Sequence, residues 1–173
     1  NTTIQARVEG ALRRGAPLAV LYCDLNDFKA YNDVYGYAAG DLALKETARV
    51  ILDSVKALGA EHEDFVGHIG GDDFLVVTVP ERMEALAAGI CDRFAAASPS
   101  LYKEADRARG SLLAKDRKGQ AVEYPLMSIA VGVCHNTQRP LSGYGEVSAL
   151  GAELKKAAKA KPGSAYFIDR RTQ

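Results

Sequence analysis

The chain has 173 residues, enough for one domain with a sizeable buried core and no need of a second. Its 22 basic and 22 acidic residues cancel, which excludes a broad electrostatic footprint for nucleic acid or an anionic membrane, so any phosphate ligand has to be held locally. No apolar stretch approaches the ~20 residues that span a bilayer and no run reads as a signal peptide, so the expected domain is soluble and not inserted in a membrane.

In chain order, Ile4, Val8 and Leu12 predict a short helix from Thr2 to Arg14, broken at Gly15 and Pro17. The apolar run Leu18 to Cys23 predicts a buried strand that delivers Asp24 at its end. Asp41 is expected to cap the next helix, whose buried face is Leu44, Ala48, Ile51, Leu52 and Val55 and whose terminator is Gly59. Phe65 to Ile69 and Phe74 to Val79 read as a hairpin joined through Gly70-Gly71-Asp72-Asp73. Pro80-Glu81 opens a third helix with Met83, Leu86, Ala87, Ile90 and Phe94 as its core face, closing near Ser98-Pro99.

Residues 100–124 are more polar and read as an excursion from the core, with Asp116-Arg117-Lys118-Gly119 as a turn between two strands. A buried strand over Leu126 to Cys134 follows, then a helix from Val147 to Lys161 stopped by Pro162-Gly163 and a closing strand Ala165 to Ile168. Because a hairpin interrupts the alternation of helices and strands, the predicted sheet is mixed and mostly antiparallel: an α+β, ferredoxin-like palm. Cys23, Cys91 and Cys134, odd in number and without a CxxC pair, read as core residues in a reducing compartment, which points to the cytoplasm. Starting at Asn1 and not at Met, the chain is expected to be cut from a larger protein whose sensory or dimerising parts are absent.

Two acidic strings carry the chemistry, Asp24-Leu25-Asn26-Asp27-Phe28-Lys29 and Gly70-Gly71-Asp72-Asp73-Phe74. Each lies at the end of a core strand, where clustered carboxylates are costly without a cation. If the two strands are neighbours, Asp24 and Asp72 converge as hard oxygen ligands suited to Mg²⁺ and substrate phosphates. Gly70-Gly71 allows close approach of backbone to a ligand, and Phe28-Lys29 offers turn amides and an ammonium to phosphate.

With Asn32-Asp33, Gly36, Gly40-Asp41, the late strand Ser128-Ile129-Ala130-Val131-Gly132-Val133 and Ala158-Lys159 before Gly163, these strings resemble the GGDEF family of diguanylate cyclases over nearly the whole chain. The resemblance implies a palm-like nucleotidyl cyclase fold and a homodimer in which each subunit holds one GTP, the pair yielding cyclic di-GMP and pyrophosphate. It implies Mg²⁺ or Mn²⁺ on Asp24, the Leu25 carbonyl and Asp72, with Asp73 assisting a second metal or the deprotonation of the 3′-OH. Asn32 and Asp41 would read the guanine edge, while Lys29, the amides around Asp27 and Phe28, and Lys159 would hold the β- and γ-phosphates. Asp24, Asp72, Asp73 and Lys29 form the implied catalytic set.

The chain departs from the family pattern in several places. Asp73 is one methylene shorter than the usual Glu, about 1.5 Å of reach. His68 and Tyr37 replace a common Arg and His, and Ser164 replaces a basic residue. Glu61-His62-Glu63-Asp64 stands where an RxxD product-inhibition site often lies, so feedback through that site is expected to be absent. Lys155, Lys156 and Lys161 read as a solvated helix face. Two rival readings are a degenerate GTP- or cyclic-di-GMP-binding module and another palm-type nucleotidyl cyclase or polymerase-like subunit.

Overall fold

In a computed structural model, described for residues 2–115 and 119–172, the chain forms an α+β fold with helices on both faces of a five-stranded sheet. The elements are α1 (Thr2–Arg13), β1 (Ala19–Asn26), α2 (Phe28–Tyr35), α3 (Tyr37–Leu58), β2 (Phe65–Gly70), β3 (Asp73–Thr78) and α4 (Pro80–Ala97). A 3-10 turn (Ser98–Leu101), α5 (Glu104–Arg109), β4 (Ser111–Lys115), β5 (Ala121–Pro125), β6 (Ser128–His135), α6 (Tyr144–Lys159) and β7 (Ala165–Ile168) complete it. Strand order is β2-β3-β1-β6-β7, antiparallel throughout except for the parallel β6–β7 pair, so the expected mixed, mostly antiparallel sheet is present.

The alternation of side chains along β1 divides the core in two. Leu21, Cys23 and Leu25 face a cluster built from α3, α4, Phe74, Val131 and Val133. Leu18, Val20 and Tyr22 face the other way, against Ile4 and Val8 of α1 and Val147, Leu150 and Leu154 of α6. Burying a side chain such as Ile51 or Leu86, both fully covered, contributes roughly 1.5–3 kcal/mol. The three cysteines are buried and free, as expected.

α6 sits close to the sheet because two glycines let it. A Cβ on Gly132 of β6 would lie 2.7 Å from the Leu154 carbonyl carbon and 2.9 Å from the Lys155 Cα. One on Gly151 of α6 would lie 2.6 Å from Cγ of the Tyr22 ring. The start of α6 is fixed by Glu146, whose carboxylate accepts hydrogen bonds from the Ser142 amide and hydroxyl at 2.7 and 2.8 Å.

Four expectations change. An additional helix, α2, occupies residues 28–35, and Gly36 at φ 83° breaks it from α3, so α3 starts at Tyr37 and Asp41 lies inside it instead of capping it. Leu52 is 54% exposed, because Ala43, Thr47, Val50, Ile51, Ser54 and Val55 form the stripe that meets the sheet. The region 100–124 does carry a two-stranded unit, β4–β5, but also α5 and the buried Tyr102 and Leu112, so it is anchored in the core. The helix predicted from Val147 begins three residues earlier, at Tyr144. Of the turn expected over 116–119, residues 116–118 lie outside the described residues.

Candidate active site

β1 and β3 are adjacent and antiparallel, with Asp24 directly opposite Asp73. The register explains why both carboxylates meet α6. Asp24 continues the Val20 and Tyr22 face of β1, and Asp73 continues the Leu75 face of β3. Pairing with β3 ends at Asp24, so Leu25 is held only by β6, across from Ile129.

The hairpin that presents Asp72 is tight. Gly70 pairs with Asp73 after a register shift, leaving Gly71 and Asp72 as the loop, with φ of 147° at Gly70 and 58° at Gly71. Side chains rarely adopt such backbone, which accounts for both glycines. His68 braces the loop: its ring stacks on Phe74 at 4.5 Å, and its Nε2–H donates to the Gly71 carbonyl at 2.8 Å.

Asp24 is 7% exposed. Lys155 Nζ lies 2.8 Å from its Oδ2 and is hydrogen-bonded to Asp73 Oδ1, and Lys159 Nζ lies 2.6 Å from Asp24 Oδ1. The Lys159 contact is an ion pair without hydrogen-bond alignment, so among the described residues buried Asp24 Oδ1 has no hydrogen-bond partner. Burial works against the Lys155 charge, but hydrogen bonds to Asp24 and Asp73 outweigh it and hold the ammonium above its usual range. Burial first, then the charges of Asp24 and Asp73, push the Asp72 carboxyl up, against the pull of Lys159.

Among the described residues, no group of three or more His, Cys, Asp or Glu side chains is arranged as a ready metal cage. The carboxylates meet around two ammonium groups. Even so, the donor set fits a hard cation: the charge of Asp24 is close enough to push the Asp72 carboxyl up, and Asp24 Oδ1 lacks a hydrogen bond among the described residues.

Beside this cluster, Asp27 takes a left-handed conformation at φ 62° and starts α2 without a side-chain cap, leaving first-turn amides open to an anion. Burial raises the Asp27 carboxyl, with Lys159 opposing. Lys29 projects exposed from the same turn. Asn32 leans against Gly40 of α3: a Cβ at 40 would lie 2.9 Å from Asn32 Cγ and nearer still to Oδ1. That Oδ1 is buried without a hydrogen-bond partner among the described residues, and exposed Asp41 follows next in α3.

Asp24, Asp73 and Lys159 are thus in direct proximity, with Asp72 on the adjoining loop. Asn32 sits against Gly40, beside Asp41, in a second group. Lys155 is the site residue that sequence reasoning missed. Its signal was present, since it lies four residues from both Gly151 and Lys159, on the flank of the stripe Val147, Leu150, Leu154 and Ala158.

A family model described as "Diguanylate cyclase, GGDEF domain" matches residues 1–111. The bifunctional diguanylate cyclase/cyclic di-GMP phosphodiesterase MucR of Pseudomonas aeruginosa is 37% identical over 90 residues, 52% of this chain and 12% of that protein. Diguanylate cyclase DosC of Escherichia coli K12 is 34% identical over 76 residues, 44% of this chain and 15% of that protein. The match therefore spans a small part of these relatives' length. Among solved structures, the active GGEEF domain of a diguanylate cyclase from Vibrio cholerae superposes with a TM-score of 0.72 at 20% identity, covering 99% of this chain and 97% of that one. A sensory box/GGDEF family protein from Caulobacter crescentus gives 0.63 at 25%, covering 92% of each.

Proposed function

The chain belongs to the GGDEF family, and from that premise we propose that it is one half of a diguanylate cyclase, binding one GTP with a divalent cation and condensing two GTP into cyclic di-GMP when two copies face each other. The observation that carries the reading is the acidic pair Asp24 and Asp73, set across neighbouring strands beside the Asp72 loop, with the Asn32–Asp41 group close in sequence to the same strand end.

Guanine presents two donors, N1–H and the 2-amino group, on one edge. The unpartnered Asn32 Oδ1 and the Asp41 carboxylate are acceptors suited to that edge, whereas adenine lacks the matching donors. The open amides at the start of α2, with Lys29 and Lys159, bind the β- and γ-phosphates. Asp24, Asp72 and the Leu25 carbonyl would hold Mg²⁺ or Mn²⁺, which supplies charge neutralisation at the reacting phosphate when bound.

In each of two reciprocal steps, the 3′-oxygen of one GTP bonds to the α-phosphorus of the other, the second step closing the ring. The bond from that phosphorus to the bridging oxygen breaks, and pyrophosphate leaves with the electron pair. The 3′-OH proton passes to a carboxylate of the cluster. Most of the acceleration comes from holding both nucleotides in line. Since one chain offers one half-site, condensation needs a homodimer, which a fused sensory or dimerising segment would control.

Incubating a dimerised form with GTP and Mg²⁺ tests this, with cyclic di-GMP read by chromatography. Product is expected from the native chain and none from Asp72→Ala; native turnover by Asp72→Ala would overturn the assignment. GTP binding without product would favour a degenerate binding module, a reading that draws support from the short Asp73 side chain and its tie to Lys155.

A further inference from the structure

α6 brings a charge into the acidic cluster that the GTP half-site does not require. Lys155 contacts both carboxylates that face each other across β1 and β3, Asp24 Oδ2 at 2.8 Å and Asp73 Oδ1. Its side chain is 19% exposed, against 39% for Lys159 one turn further along the helix. Exposed lysine–carboxylate pairs are weak and easily exchanged. Lys155 differs because it is seated: the absent Cβ at Gly132 lets the α6 backbone at residues 154–155 rest on β6, and the gap at Gly151 receives the Tyr22 ring.

The two lysines therefore divide. Lys159 makes one ion pair, to Asp24, and is the more exposed of the two, on the side open to a ligand phosphate. Lys155 makes two and is the more buried.

We propose that Lys155 is a tethered cation that takes the place of a divalent ion between Asp24 and Asp73, so that the cluster accepts a single metal ion, on the side of Asp72 and the Leu25 carbonyl. Three carboxylates crowd one strand end, and a covalently attached positive charge neutralises one of them permanently. An ammonium within about 4 Å of a second ion site lowers that site's affinity by more than tenfold. Lys155 thereby acts as a positioning residue for Asp73 and a determinant of metal number.

The inference rests on reading the cluster as a cation site, and its test needs no turnover. Mn²⁺ alone is titrated into the whole chain, with the free ion followed by electron paramagnetic resonance. One bound ion per native chain is expected; two ions of comparable affinity would overturn the proposal. Lys155→Met keeps the length of the side chain and removes its charge. It should admit a second ion, or tighten Mn²⁺ binding at least about tenfold. An unchanged count and affinity in a folded Lys155→Met chain would overturn the proposal equally, and if that variant does not fold the native count decides alone. Binding of a fluorescent GTP analogue to the same samples tests the nucleotide reading separately: its absence removes that reading and leaves the ion count standing.

Discussion

Replacing Gly132 by alanine probes the contact on which both the fold and the acidic cluster depend. The added Cβ would lie 2.7 Å from the Leu154 carbonyl carbon and 2.9 Å from the Lys155 Cα, against the ~3.5–4.0 Å of a comfortable carbon contact. These neighbours are helix backbone, which cannot rotate aside as a side chain can. α6 must retreat by roughly 1 Å, and a gap of that size forfeits a quarter to a half of the dispersion attraction along its buried stripe of Val147, Leu150, Leu154 and Ala158. Overpacking of this kind costs about 1–3 kcal/mol, and the rigid neighbour places the expected loss near 3. In a domain of this size that corresponds to a fall in Tm of about 6–12 °C. Circular dichroism melts and urea titrations read it directly. Gly145→Ala is the internal control, because the same helix offers open space there; it should be neutral or stabilising by up to about 1 kcal/mol. A loss below about 0.5 kcal/mol for Gly132→Ala would refute the argument that close seating of α6 depends on that glycine.

Other outcomes follow from the same geometry. Asp72→Asn should raise Tm at neutral pH, since the folded carboxyl is held above its unfolded value by burial and by Asp24 and Asp73. A raised folded pKa means that native stability falls as pH climbs through it, so the advantage of Asn should vanish well below the usual carboxylate range; an advantage that persists at low pH would contradict this. Asp41→Ala should weaken binding of a GTP analogue by about tenfold to a hundredfold, the equivalent of one or two hydrogen bonds to a charged acceptor, while hardly changing the melt of an exposed position. Equal losses for GTP and ATP analogues would argue against a role in reading the base. Tyr35→Phe should cost about 1–2 kcal/mol, because the Tyr35 hydroxyl donates to Asp106 and accepts from the Lys103 amide at 3.0 Å, tying α2 to α5 and the residue before it. Chemical denaturation reads that loss.

Much of the site was legible in one dimension. An apolar run that ends in Asp24, and a Gly-Gly turn followed by a second apolar run, are local patterns, and period-two alternation then fixes which face each carboxylate takes. The spacing of Asn32, Gly36, Gly40 and Asp41 was also visible, although its mechanical sense was not. Gly40 is glycine because the Asn32 side chain occupies the space beside it, a contact between two helices that a string of letters does not display. The surplus helix α2 escaped notice because eight residues are too few for a periodic stripe to stand out, and Leu52 was misplaced because α3 turns a neighbouring stripe to the sheet.

Lys155 marks the boundary between the two kinds of information. By itself the sequence determined that carboxylates would be gathered at strand ends, because burying them costs free energy that only a cation or a ligand offsets. A lysine on an amphipathic helix, by contrast, reads as solvated from any local window. The tertiary structure alone decided that α6 would lie over β1 and β6, close enough at Gly132 and Gly151 for that lysine to reach Asp24 and Asp73. Charge neutralisation depends on distances of a few ångströms between elements far apart in the chain, and strand order and helix seating set those distances.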